Sequence, residues 1–168
     1  MSLASGGGNT CITMCAAISE NGVATHMASL GPYNTEKLLR FLDRLYSDLV
    51  PENERGLEGI HLPQFVVVWD NVSFHRGQRI RAWFETHSRM HNVPLPPYSP
   101  FLNPIEDFFS AWRWRVYEHH AQNQRSLLNA MDAACEDITG DQCRGWLCGI
   151  TTAITTQQDR TIILLLQQ

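Results

Sequence analysis

The chain is 168 residues long and carries 13 Lys and Arg against 17 Asp and Glu, for a formal charge of −4 and a pI near 5.9. That length suits one domain with a core of its own, and a hydrophobic fraction of 43% excludes a disordered or fibrous chain. The acidic balance excludes a free-standing basic DNA-binding module, so any contact with DNA has to come from a local basic patch.

The cysteines, Cys11, Cys15, Cys135, Cys143 and Cys148, are odd in number and include no CxxC pair. With no secretory signal at the N-terminus, they indicate a reducing compartment rather than a disulfide framework or a zinc finger. Cys143 and Cys148 read as core thiols. The apolar run Ile162–Leu166 is far too short to span a bilayer, so a membrane role has no support. The run reads as a tail strand or a packed terminal segment.

Residues 1–9, rich in Gly and Ser, read as a flexible leader. Residues 10–19 and Val23 to Leu30 are expected to form a hairpin around Asn21-Gly22, since both turn residues tolerate positive φ. Asn34 or Thr35 can cap a helix running to Leu49, with Leu38, Leu39, Leu42, Leu45 and Tyr46 on one face. Residues 51–63 read as a polar loop. Phe65–Trp69 is a continuous apolar, β-branched run, the signature of a central strand covered on both faces, and Asp70-Asn71 follows it. A helix over about 77–87 would turn Ile80, Trp83 and Phe84 inward, and Val93–Leu95 would be a short strand. Past the proline-rich stretch, Pro104 suits a first helical turn capped by Asn103, opening a helix with the stripe Ile105, Phe108, Phe109, Trp112 and Val116. Helices are expected over 126–138 and, shorter, after Asp141. The order indicates an α/β domain.

Asp70 falls at the C-terminal end of a strand, where sites collect in open α/β sheets. At about one hundred degrees per residue, Glu106 falls at the border of its helix's apolar stripe. Two such carboxylates suit a hard divalent cation, Mg²⁺ or Mn²⁺, and phosphodiester chemistry. They equally suit an ordinary strand-end turn and an acid favoured by a helix dipole, and residue type alone leaves both readings open.

The stretch VVVWDNVSFHRG, the 35 residues separating Asp70 from Glu106, and the block PYSPFLNPIEDFFSAWR resemble the mariner-like DDE superfamily of transposases over roughly residues 10–140. The resemblance implies a ribonuclease-H-like mixed sheet flanked by helices and DNA cleavage and strand transfer in the course of transposition or integration. It implies Asp70 and Glu106 as the second and third metal-ligand carboxylates of a two-metal Mg²⁺ or Mn²⁺ site. It places Asn71 and His75 in the motif after the second Asp and assigns Arg113 to a DNA phosphate. The partners implied are DNA, as transposon ends and target, and a second copy of the chain in a homodimer. The setting implied is intracellular, in the nucleus of a eukaryotic host.

The departure from the family lies upstream. The first catalytic Asp belongs to a strand preceding residues 10–19, and here no acid precedes Glu20. The chain therefore reads as a leader (1–9), an N-terminally truncated catalytic domain (10–150) and a tail (151–168), with the first, central strand absent. Its absence is expected to leave a gap or an unpaired edge between 10–19 and 65–69, and with it marginal stability. Two functions follow: a metal-dependent DNA strand-transfer enzyme that is inactive until the first Asp is supplied, or a catalytically dead remnant that dimerises or binds DNA weakly. Trp114, between Arg113 and Arg115, lies opposite the apolar stripe. It could stack on an unpaired base, although packing beneath a neighbouring helix is the commoner fate. His87 and His91 are four apart, but His91 is expected past its helix end, which argues against zinc.

Overall fold

The computed structural model describes residues 12–57, 59, 61–69, 77–95, 104–154 and 160–167. The elements in chain order are β1 (Ile12–Ser19), β2 (Gly22–Leu30), α1 (Thr35–Leu49), a 3₁₀ turn at Glu52–Glu54, β3 (Gln64–Trp69), α2 (Gln78–Thr86), β4 (Met90–Pro94), α3 (Ile105–Glu118), α4 (Gln124–Glu136), α5 (Gly140–Ile154) and β5 (Arg160–Gln167).

Local chemistry accounts for most boundaries. Gly22, at φ +125°, makes the β1–β2 turn, and a bulge between Ala17 and Ile18 interrupts the antiparallel register. The Asn34 side chain accepts from the Lys37 amide at 3.0 Å and opens α1. Asn123 and Ser126 form a reciprocal capping box at the start of α4, two residues earlier than the sequence indicates. Pro104 takes the cap position of α3 and offers no side-chain bond; Asn103, the expected cap, lies outside the described residues. α5, expected to be short, runs for 15 residues.

The five strands form one mixed sheet in the order β2-β1-β5-β3-β4. β5 lies antiparallel to β1 and parallel to β3, and β3 is parallel to β4. This overturns one expectation. Among the described residues no strand precedes β1, yet the sheet has no gap, because the C-terminal segment fills the central position. An apolar strand placed between two others satisfies both of its hydrogen-bonding edges and those of its neighbours.

Side-chain alternation then divides the core. Ile12, Met14, Ala16 and Ile18 of β1 and Val66 and Val68 of β3 pack with α3, α4 and α5. Cys15, Ala17, Phe65, Val67, Trp69 and Ile163 pack with α1 and α2 on the opposite face. Helices thus cover both faces, as a sheet of near-continuous apolar strands requires.

Candidate active site

β5, β3 and β4 run in the same direction, so their C-terminal ends share one edge. Trp69 and Pro94 form the last paired position of β3 and β4, and the Leu95 amide donates to the Trp69 carbonyl at 2.8 Å. This bond holds together the two chains leaving the edge. In sequence Asp70 follows Trp69 directly; Asp70, Asn71 and His75 lie outside the described residues.

Glu106 sits in the first turn of α3 beside Asp107, and both are exposed. The N-terminal end of the helix dipole favours an acid there. α3 is fixed by Phe108, Phe109, Trp112 and Val116, all buried, and by the Trp112 indole N–H, which donates to the Met131 carbonyl at 3.1 Å. Leu95 belongs to the same buried cluster as Phe108, Val66 and Val68. The helix carrying Glu106 therefore contributes to the same hydrophobic cluster as Val66, Val68 and Leu95, and it packs most extensively with α4. Arg113, seven residues beyond Glu106, is half-buried and already engaged within the fold.

Trp114 corrects the sequence expectation. It is 67% exposed rather than packed beneath a helix, and its indole N–H donates to Glu118 at 3.0 Å. With Tyr117, Glu118 and His120 it lines an open depression of about 280 Å³. His87 stacks on Trp83 at 3.9 Å between ring centroids, whereas His91 lies on β4 and bonds Gln64 at 2.8 Å; the two histidines serve separate structural contacts. Of the expected core thiols, Cys143 is buried but Cys148 is exposed. Burial pushes Cys15 and Cys135 up to about 12 and Cys143 up to about 11, which makes them inert as nucleophiles or metal ligands.

Hard divalent cations take about six or more oxygen ligands, several of them anionic. Among the described residues no group of three His, Cys, Asp or Glu is placed to hold a metal. The carboxylates singled out by sequence, Asp70 and Glu106, number two.

A mixed sheet covered by helices on both faces, with an acid following the interior parallel strand β3 in sequence and another in the first turn of α3, has the architecture of a ribonuclease-H-like domain. The family model described as DDE superfamily endonuclease matches residues 2–128, and the chain belongs to that family. The fold is similar to the catalytic domain of Mos1 mariner transposase, with 19% identity and a TM-score of 0.63 over 86% of this chain and 68% of that one. It is likewise similar to structures of that domain with raltegravir and Mg (19% identity, TM-score 0.64, 85% of this chain and 69% of that one). The corresponding structure with Mn gives 18% identity and a TM-score of 0.64, over 85% of this chain and 70% of that one. No curated protein matches the sequence.

The feature that sequence reasoning missed is the place of β5. A signal was present, since Thr161–Leu166 is an apolar, β-branched run of the same kind as Phe65–Trp69. No rule of local sequence, however, says between which strands a terminal run inserts.

Proposed function

We propose that the chain is built around the DNA cleavage and strand-transfer chemistry of DDE transposases, and that alone it does not cut DNA. Asp70 and Glu106 are its two acids for Mg²⁺ or Mn²⁺, while Asn71, His75 and Arg113 contact the DNA strand near the phosphodiester. Without a third acid the site holds the ion too weakly for turnover, and the chain acts as a weak DNA-binding or dimerising unit inside the cell, in the nucleus of a eukaryotic host. The observation that carries this reading is an exposed Glu106 in the first turn of a helix whose buried stripe shares a hydrophobic cluster with β3, the strand that Asp70 follows in sequence, in a chain of the DDE family. The net charge of −4 supports weak rather than strong DNA binding. No helix among the described residues is long and apolar enough to cross a membrane.

The test is nicking of supercoiled plasmid in Mn²⁺ by the chain and by Asp70→Ala. Both are expected to leave the plasmid intact. Nicking by the wild type that disappears in Asp70→Ala would show an active enzyme and overturn the claim of inactivity. Arg113→Ala is expected to weaken DNA binding in low salt about tenfold or less, the scale of one phosphate contact, as read by fluorescence anisotropy.

A further inference from the structure

The last turn of α3 carries side chains that the core does not use. Trp114, Tyr117 and Glu118 stand three and four residues apart, so they share one face of the helix. Trp114 is 67% and Tyr117 60% exposed, and with Glu118 and His120 they line the depression of about 280 Å³. Exposed Trp and Tyr gathered on one face are the side chains that binding surfaces concentrate. Glu106 lies at the other end of the helix, about 12 Å along its axis from Trp114.

Hydrogen bonds hold the patch in shape. The Trp114 indole N–H donates to Glu118 Oε1 at 3.0 Å, and Arg115 Nη1 donates to Glu118 Oε2 at 3.3 Å. Past the helix end, His120 takes φ +48°, a left-handed conformation that favours glycine. Its carbonyl accepts from the Gln122 side chain at 3.0 Å, which fixes this turn beside the depression.

The chemistry of the patch selects a cation. The face of an aromatic ring is negative. Glu118 adds a carboxylate, and the C-terminal end of α3 adds the negative end of a helix dipole. Both repel a phosphate, so an unpaired nucleotide is disfavoured although its base could stack on Trp114. Arg115 is the counter-charge, but its pair with Glu118 is exposed, at 40% and 50% of the two side chains. Such pairs are screened and contribute little, so the carboxylate still attracts. Both of its oxygens already accept a hydrogen bond. A cation held by charge and ring faces, with no donors of its own to satisfy, therefore fits best, and that is a quaternary ammonium. The depression is open and falls below the roughly 300–1,000 Å³ of pockets that enclose a free small molecule, so the ion arrives as the tip of a longer one. The net charge of −4 favours a basic peptide as that molecule.

We propose that Trp114, Tyr117, Glu118 and His120 form a half-open aromatic cage for a quaternary ammonium, and that its occupant is a trimethylated lysine side chain on a basic partner peptide. This site is separate from Asp70 and Glu106 and requires no metal.

The test is fluorescence anisotropy of a labelled basic peptide carrying one trimethyllysine, titrated with the full chain. The same peptide is compared with unmodified lysine and with the uncharged carbon isostere of trimethyllysine at that position. The trimethyllysine peptide is expected to bind at least about threefold more tightly than either. Trp114→Ala and Tyr117→Ala should each weaken it about three- to thirtyfold, the span of one cation–ring contact from exposed to desolvated. Trp114→Phe, which keeps a ring, should lose less, and Glu118→Gln should weaken binding with both rings intact. Leu57→Ala, which alters an exposed apolar side chain elsewhere, should change nothing. Circular dichroism checks that each variant is folded. Equal binding of the charged peptide and its isostere would reduce the patch to an apolar surface and overturn the proposal. Binding that Trp114→Ala leaves intact, or no binding at millimolar concentration, would overturn it too. Trp114-dependent binding of a single-stranded oligonucleotide or of phosphatidylcholine vesicles in place of the peptide would do the same and assign the patch to that partner.

Discussion

Trp112 and Trp114 stand two positions apart on α3 and meet opposite fates. Trp112 is 3% exposed and closes a hydrogen bond across to α4, while Trp114 is 67% exposed and bonds only to its own helix. The difference is angular: two residues turn a helix by about 200°, which carries a side chain from the core to the far side. Trp112→Ala is therefore expected to cost about 3–5 kcal/mol, the range for a large aromatic deleted from a core. Trp114→Ala should stay within about 0.5 kcal/mol. Urea unfolding of the two variants measures both, and a large loss from Trp114→Ala would mean that its surface is covered. The stripe Phe108, Phe109, Trp112 and Val116 was legible in the sequence because helical spacing fixes it. The fate of Trp114 was not, since an outward direction does not reveal whether another element comes to cover it.

At the scale of elements, β5 differs most from its sequence appearance. It is the last element in the chain and the middle one in the sheet, with β1 and β3 bonded to its two edges. Without it the hairpin β1–β2 and the parallel pair β3–β4 would share no strand hydrogen bond, and each would expose a free edge, the condition that promotes aggregation. Removal of residues 158–168 is expected to abolish cooperative thermal unfolding and to produce oligomers in size-exclusion chromatography. A truncated chain that remains monomeric and melts sharply would show that β5 is dispensable. α5 carries a related lesson. Its buried residues, Cys143, Leu147 and Ile150, follow helical spacing, but its polar residues hide how far it extends, and packing against β1 and β2 sustains it.

For the whole molecule, the closed sheet removes the ground for expecting marginal stability. The buried thiols instead give stability a pH dependence. Cys15 and Cys135 are raised from about 9 to about 12 because burial disfavours the thiolate. A raised folded value means that their contribution is complete below the unfolded value and is lost as pH climbs toward the folded one. From pH 9 to 11 the unfolded chain releases protons that the folded chain retains, so stability should fall by about 1 kcal/mol per pH unit for each thiol. Urea midpoints across pH 8 to 11 test this. Cys15→Ala combined with Cys135→Ala should flatten the slope, and an unchanged slope would place its origin elsewhere.

The sequence by itself determined the class of fold, the hairpin at Asn21-Gly22, the capped helix from Thr35, the buried strand ending at Trp69, and Glu106 on the first turn of a helix with a buried stripe. Each depends on contacts close in the chain: turn chemistry, caps and periodicity. The tertiary structure alone decided that the C-terminal run enters between β1 and β3 and that Trp114 stays in solvent. The insertion of β5 depends on pairing between residues far apart in the chain, Ile18 and Val68 each with Leu164. Strand pairing is set by which open edge and apolar face remain unfilled once the other elements have packed, a condition that no local stretch of sequence contains.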